Sequence, residues 1–273
     1  MNIQSLSICV PAIKCTNNCK FCCSAGHNDI QYKNNNMPDE FFKRLQFARD
    51  NGCNVAILTG ECEPLQQYYW LNNFFTVQNK KLASPFKWIE LQTSGVNFNR
   101  EQSLMLGVTT ISLSLTDPFV DEFNFNTQAT PKEHRFDIED FCQKIIKDFN
   151  LRISLNMTDL MKGVSTQEII ERCVELGAYA LTFRELYEGP GHTGEWVKEH
   201  KISVREHFNY IKKNGKPLEE LPNGATKYSI GGLSVVIDDD CMSQEVNPAV
   251  RYLILRQDGK LYTKWNDKAS LLF

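Results

Sequence analysis

Six short apolar runs of strand length alternate with helical segments along the first two thirds of the chain, and this alternation limits the fold more than any other feature. The runs are residues 6–10, 55–58, 88–92, 111–115, 153–155 and 179–183. Between them, apolar residues recur at helical spacing. A helix opening at Pro38-Asp39-Glu40 puts Phe41, Leu45 and Ala48 on one face and stops at Asn51-Gly52. Residues 65–81 have helical length and many aromatics, and residues 138–149 carry Phe141, Ile145 and Ile146 on one side. Residues 166–176 start at a Ser165 cap and close at Gly177. Strand and helix in alternation give a parallel sheet with helices outside. Six units stop short of the eight that close a TIM barrel. The expected fold class is therefore α/β, an open, partial (β/α)6 TIM-like barrel over residues 1–187.

The character changes after that core. Residues 188–223 read as a connecting loop and a helix over 204–213, the loop being Gly-rich from Glu188 to Gly194 and lacking the Gly-Lys-Ser/Thr of a phosphate cradle. Residues 226–230 and 233–237 flank Gly231-Gly232, a hairpin signal, and residues 252–255 and 261–263 flank a second turn at Gln257-Asp258-Gly259. Residues 224–273 are thus expected to form a small C-terminal β-hairpin appendage, closing the open side or the bottom of the barrel.

With 30 basic against 33 acidic residues the net charge is −3, and no basic stretch tracks a nucleic-acid backbone. Duplex nucleic acid is excluded as a partner on this ground. No apolar stretch nears the roughly 20 residues of a membrane span. Ten Cys without a secretory signal fit reduced thiols in a cytosol, so a cytoplasmic location is expected.

Chemistry concentrates at the exit of the first strand, in Cys15-Thr16-Asn17-Asn18-Cys19-Lys20-Phe21-Cys22. Three thiolates four and three residues apart make a metal-ligand loop. An iron–sulfur cube takes four ligands, normally four Cys, so a loop offering three leaves one iron open. Zinc is the competing reading, with Cys23 or His27 as fourth ligand, but zinc sites usually pair two Cys-x2-Cys knuckles and no second knuckle is present.

The loop resembles the Cys-x3-Cys-x2-Cys cluster motif of the radical S-adenosylmethionine (SAM) superfamily, including the aromatic before the third Cys. The resemblance covers about residues 5–187 and implies one [4Fe–4S] cluster on Cys15, Cys19 and Cys22, with SAM chelated at the open iron. It implies reductive cleavage of SAM to a 5′-deoxyadenosyl radical that abstracts a substrate hydrogen, oxygen sensitivity, and an electron donor such as flavodoxin or ferredoxin. Phe21 would pack near the adenine. After the second strand, Thr59-Gly60-Glu61-Cys62-Glu63-Pro64 looks like the family's Gly-Gly-Glu element that binds the SAM amino group. Gly60 permits the turn, and either Glu61 or Glu63 takes the role, because Cys62 stands where a related variant has Gly.

Gln92-Thr93-Ser94-Gly95 resembles the family's Thr-Asn-Gly turn. Ser114 with Asp117 on the fourth strand, and Asn156 on the fifth, lie where the family places contacts to the SAM ribose and carboxylate. Arg184 at the sixth strand end suits a carboxylate, of SAM or of an acidic substrate, unless it pairs with Glu185 at the surface. His192 reads as a loop residue. Asp238-Asp239-Asp240 could bind a cation or a substrate amine but reads first as a solvated turn, and Cys241 after it reads as a hydrogen-atom donor or a buried thiol, with Cys62 as the competing donor. The expected substrate is a small metabolite or nucleotide. The alternatives are a peptide, as in an epimerase using Cys241, a protein partner receiving a glycyl radical, and a zinc or degenerate cluster-binding module without catalysis.

Overall fold

The structure, a computed structural model, describes residues 2–11, 14–23, 37, 39–60, 62–101, 107–188, 192–221, 224–239, 249–265 and 267–273. Among these residues eleven strands form one sheet, in the order β11-β10-β1-β2-β3-β4-β5-β6-β9-β8-β7. The first six are β1 (Asn2–Val10), β2 (Val55–Gly60), β3 (Trp88–Thr93), β4 (Thr110–Leu115), β5 (Asn150–Met157) and β6 (Ala180–Glu185). They pair side by side, all parallel, in chain order. The six predicted runs are these strands, each slightly longer than its apolar stretch.

Both C-terminal hairpins form, and each extends one edge of this sheet. β8 (Thr226–Ile230) and β9 (Leu233–Asp238) turn through Gly231-Gly232, both at positive φ as a two-residue hairpin loop requires. β9 then lies parallel to β6. β7 (Lys216–Glu220), which the sequence did not announce, adds an antiparallel edge beyond β8. On the other side, β10 (Ala249–Leu255) lies parallel to β1 and carries β11 (Leu261–Tyr262) antiparallel. Eight parallel strands are therefore present, yet the barrel stays open, because β9 and β10 already have β8 and β11 as outer neighbours.

Helices α1 (Asp39–Asp50), α2 (Tyr68–Lys81), α3 (Asp121–Thr127), α4 (Ile138–Ile145) and α5 (Thr166–Glu175) follow the strands. α5 begins as its sequence dictates: Ser165 Oγ accepts from Glu168 N–H at 3.2 Å, and Glu168 Oε2 accepts from Ser165 N–H at 2.9 Å, a capping box. Two helices follow β6, α6 (His192–His200) and α7 (Arg205–Asn214). The expected Gly-rich loop thus becomes helix from His192 onward, and residues 189–191 lie outside the described residues.

Strand alternation divides the sheet into two faces. One parity, including Leu6, Ile8, Leu58, Leu91, Ile111, Leu113, Ile153, Leu155, Leu181 and Phe183, is buried against the helices and forms the main core. The other parity faces the barrel interior. It is largely polar: Ser5, Ser7, Glu90, Gln92, Thr110, Ser112, Arg152, Ser154 and Thr182. A packed TIM barrel fills this space with branched apolar layers. Here it is a cavity.

Candidate active site

The cysteine loop leaves β1 at the C-terminal end of the sheet and is held by its neighbours. Thr16 N–H donates to Gln66 Oε1 at 3.0 Å, Gln66 Nε2 donates to the Lys14 carbonyl at 3.0 Å, and Asn97 Nδ2 donates to Thr16 Oγ1 at 3.2 Å. Asn17, buried, donates from Nδ2 to Gln128 Oε1 at 3.2 Å, and Gln128 Nε2 donates to the Ser114 carbonyl at 2.8 Å. The loop is thereby fixed to β2, β3 and β4.

A cavity of about 220 Å³ opens beside it. Its wall contains Cys15, Cys19, Phe21, Cys22, Gly60, Cys62, Glu63, Ser114, Asn156 and Arg184. These residues leave the ends of β1, β2, β4, β5 and β6, and the structure brings them together. Glu61 and Cys241 lie outside the described residues.

Glu63 is buried and fully bonded. Its Oε1 accepts from Thr93 Oγ1 at 2.6 Å and from Leu65 N–H at 3.2 Å; its Oε2 accepts from Ser94 N–H at 2.9 Å and Ser94 Oγ at 2.7 Å. A carboxylate offers about four lone-pair sites, and these four donors fill them. Burial raises its pKa while the four donors oppose that rise. Glu63 therefore ties the β2 loop to the Thr93-Ser94-Gly95 turn, where Gly95 holds φ at 87°. Gly60 is required for another reason: a Cβ there would stand 2.8 Å from the Cys62 carbonyl oxygen.

Arg184 does not pair with Glu185. Its Nε lies 3.4 Å from Asp238 Oδ2, its register partner across β6 and β9, whereas Glu185 faces Lys201 at 3.6 Å and accepts from Val204 N–H at 3.2 Å. Asp238 is buried, unlike the solvated turn expected of that acidic run. Asp117 is occupied in a turn, accepting from Phe119 N–H at 2.8 Å and Val120 N–H at 3.0 Å, and is not in the cavity wall. Asn156 Nδ2 donates to the Leu115 carbonyl at 3.3 Å. Phe21 lies 6.3 Å from the Trp196 ring of α6, which stacks on His200 at 4.3 Å.

The donor set fits an iron–sulfur cube. Burial, then repulsion from Cys22 and Cys15, pushes the Cys19 thiol well up, so a cation among the three would relieve a conflict already present. Cys15, its pKa raised chiefly by burial, accepts from the N–H groups of Asn17 and Glu63, as thiolate ligands commonly do. Among the described residues no three His, Cys, Asp or Glu side chains converge on one ion site. A cube takes one thiolate per iron.

Sequence reasoning gave no role to Asn17, Gln128, Glu90 or Arg152, and read Asp238 as part of a solvated turn. Glu90 and Arg152 had a signal, each being a charge inside an otherwise apolar strand; Gln128 had none.

No protein-family model and no curated protein matches the chain. Among solved structures it superposes on native anSMEcpe with bound AdoMet at a TM-score of 0.63 and 13% identity, over 98% of this chain and 77% of that one. With native anSMEcpe bound to AdoMet and the Kp18Cys peptide, the TM-score is 0.60 at 14% identity, over 98% and 76%. Identity this low speaks to architecture alone. The chain has the open, partial-barrel fold of AdoMet-bound anSMEcpe.

Proposed function

We propose that this chain is a radical SAM enzyme. The carrying observation is that Cys15, Cys19 and Cys22 share one cavity wall with Gly60, Glu63, Ser114, Asn156 and Arg184, in a fold shared with an AdoMet-bound structure. Cys15, Cys19 and Cys22 would hold a [4Fe–4S] cluster, which when bound supplies the electron that cleaves SAM reductively to a 5′-deoxyadenosyl radical. The chain's residues do the rest. Gly60 keeps the β2 turn close, and Glu63 fixes the turns on either side of the pocket while keeping a carboxylate beside an incoming ammonium group. Ser114 and Asn156 offer polar contacts from β4 and β5, and Arg184, aligned by Asp238, offers a guanidinium to a carboxylate. Phe21 and Trp196 cover the loop with apolar surface.

The substrate in this reading is a small molecule, since an interior cavity of about 580 Å³ adjoins the site. The second reading is a peptide substrate, favoured by the peptide-bound anSMEcpe structure; there Cys62 in the wall, or Cys241, would return the hydrogen atom.

The test is anaerobic reconstitution with iron and sulfide, then dithionite and SAM, with 5′-deoxyadenosine assayed against the Cys15, Cys19 and Cys22 triple-Ala variant. Product that needs the three Cys is expected. A protein that takes up zinc and assembles no cluster, or product that survives the triple substitution, would overturn the proposal.

A further inference from the structure

The interior cavity runs the length of the strands. At the C-terminal end its wall shares Thr59, Gly60, Gln92 and Arg184 with the cysteine pocket. At the other end it is bounded by Trp88 and Tyr179, beside the N-terminal ends of β3 and β6, which are 56% and 45% exposed. The cavity therefore reaches the surface at the end of the sheet opposite the cysteine loop.

Deep in this cavity lies an ion pair. Arg152 Nη1 donates to Glu90 Oε2 at 2.8 Å, bridging over β4, and Gln92 Nε2 donates to Glu90 Oε1 at 3.1 Å. Glu90 thus has a donor on each carboxylate oxygen, whereas Arg152 is left with donors to spare. Guanidinium has five N–H donors, and this one contact occupies one of them; Nε is buried without a partner. Buried polar groups are almost always bonded, so the unmatched Nε of Arg152, a residue of the cavity wall, marks a place for an acceptor. The charged residues in the wall are three cations, Arg152, Arg184 and Lys227, against Glu90 and Asp238.

We propose that this lumen is a binding chamber for a small organic carboxylate, with its acid group on Arg152 and its body between the aromatic walls of Trp88, Tyr252 and Trp265. A single guanidinium already paired with a carboxylate suits one negative charge; a phosphate would want more. Arg152 lies four residues before Asn156 on β5, about 13 Å along the strand, so a ligand whose body lies toward Trp88 presents its acid end to the side of the cysteine pocket. The chamber stands independently of the radical chemistry.

The experiment is titration calorimetry on the iron–sulfide-reconstituted protein, without SAM or reductant, using phenylacetate and indole-3-acetate against phenylacetamide and indole-3-acetamide. At least one carboxylate is expected to bind saturably below about 10 mM, with its amide about tenfold weaker or more. Arg152→Met alone strands Glu90, so the decisive variant is Glu90→Gln with Arg152→Met, which removes both charges. With its circular dichroism and melting unchanged, it should lose the preference for the acid. Equal binding of acid and amide, acid preference surviving in the double variant, stronger binding of inorganic phosphate than of either acid, or no binding below about 10 mM would each overturn the proposal.

Discussion

Glu63 shows how one side chain holds two turns of a site together. Its four accepted hydrogen bonds join the end of β2 to the end of β3, and its own N–H reaches Cys15. A Gln there has one acceptor oxygen and an amide that faces donors. Glu63→Gln should lower unfolding free energy by about 2–3 kcal/mol, read from urea unfolding, and should lower iron incorporation as the cysteine loop loosens. An unchanged unfolding midpoint would mean that the bonds contribute nothing net. The sequence brought the choice down to Glu61 or Glu63, but it could not show that the acceptors of Glu63 are occupied, since Thr93 and Ser94 lie 30 residues away and meet it only in the folded sheet.

At the scale of elements, the strands were legible because each carries an apolar run, and the helices because their apolar faces recur at helical spacing. β7 was not, since its five residues are all exposed and offer no pattern. α3 was hidden for a similar reason, being seven residues long. The packing of α5 on α7 carries a pH dependence. His207 of α7 is buried, stacks on Phe183 at 5.0 Å, and shares a hydrogen bond of 2.9 Å with Thr166 of α5. Burial lowers its pKa from the usual 6.5, with Glu206 opposing in part. Below that value the unfolded chain binds a proton that the folded chain resists, so this contribution is full above about pH 6.5 and is lost as pH falls, by at most about 1.4 kcal/mol per pH unit. His207→Gln should flatten the fall in melting temperature between about pH 6.5 and 5 relative to the parent. Parallel curves for the two proteins would remove His207 from the account.

For the whole molecule, the hairpin signals told that β8–β9 and β10–β11 form but not where they dock. Hairpin chemistry is local, whereas the choice of sheet edge depends on which strands lack a neighbour. β1 and β6 both lacked one, and β10 and β9 took those places. Four consecutive residues of β10, Tyr252, Leu253, Ile254 and Leu255, are buried as a result. Removing residues 249–273 would delete these four buried side chains and bare the β1 edge they cover, a loss of order 6–12 kcal/mol as an upper bound, comparable to the whole stability of a domain. The truncated chain should aggregate or melt without cooperativity, and a soluble, cooperatively melting product would show that β10 is dispensable.

The place of β1 in the sheet also sets an order of events. The strand that carries the cysteine loop begins at residue 2, yet one of its two hydrogen-bonded neighbours, β10, starts at residue 249. A contact this distant in sequence is slow to close, and during synthesis β1 must wait as a bare edge until the last strands arrive. A cluster held by Cys15, Cys19 and Cys22, as proposed, would then be loaded late, coupled to completion of the sheet and not to the appearance of the motif itself.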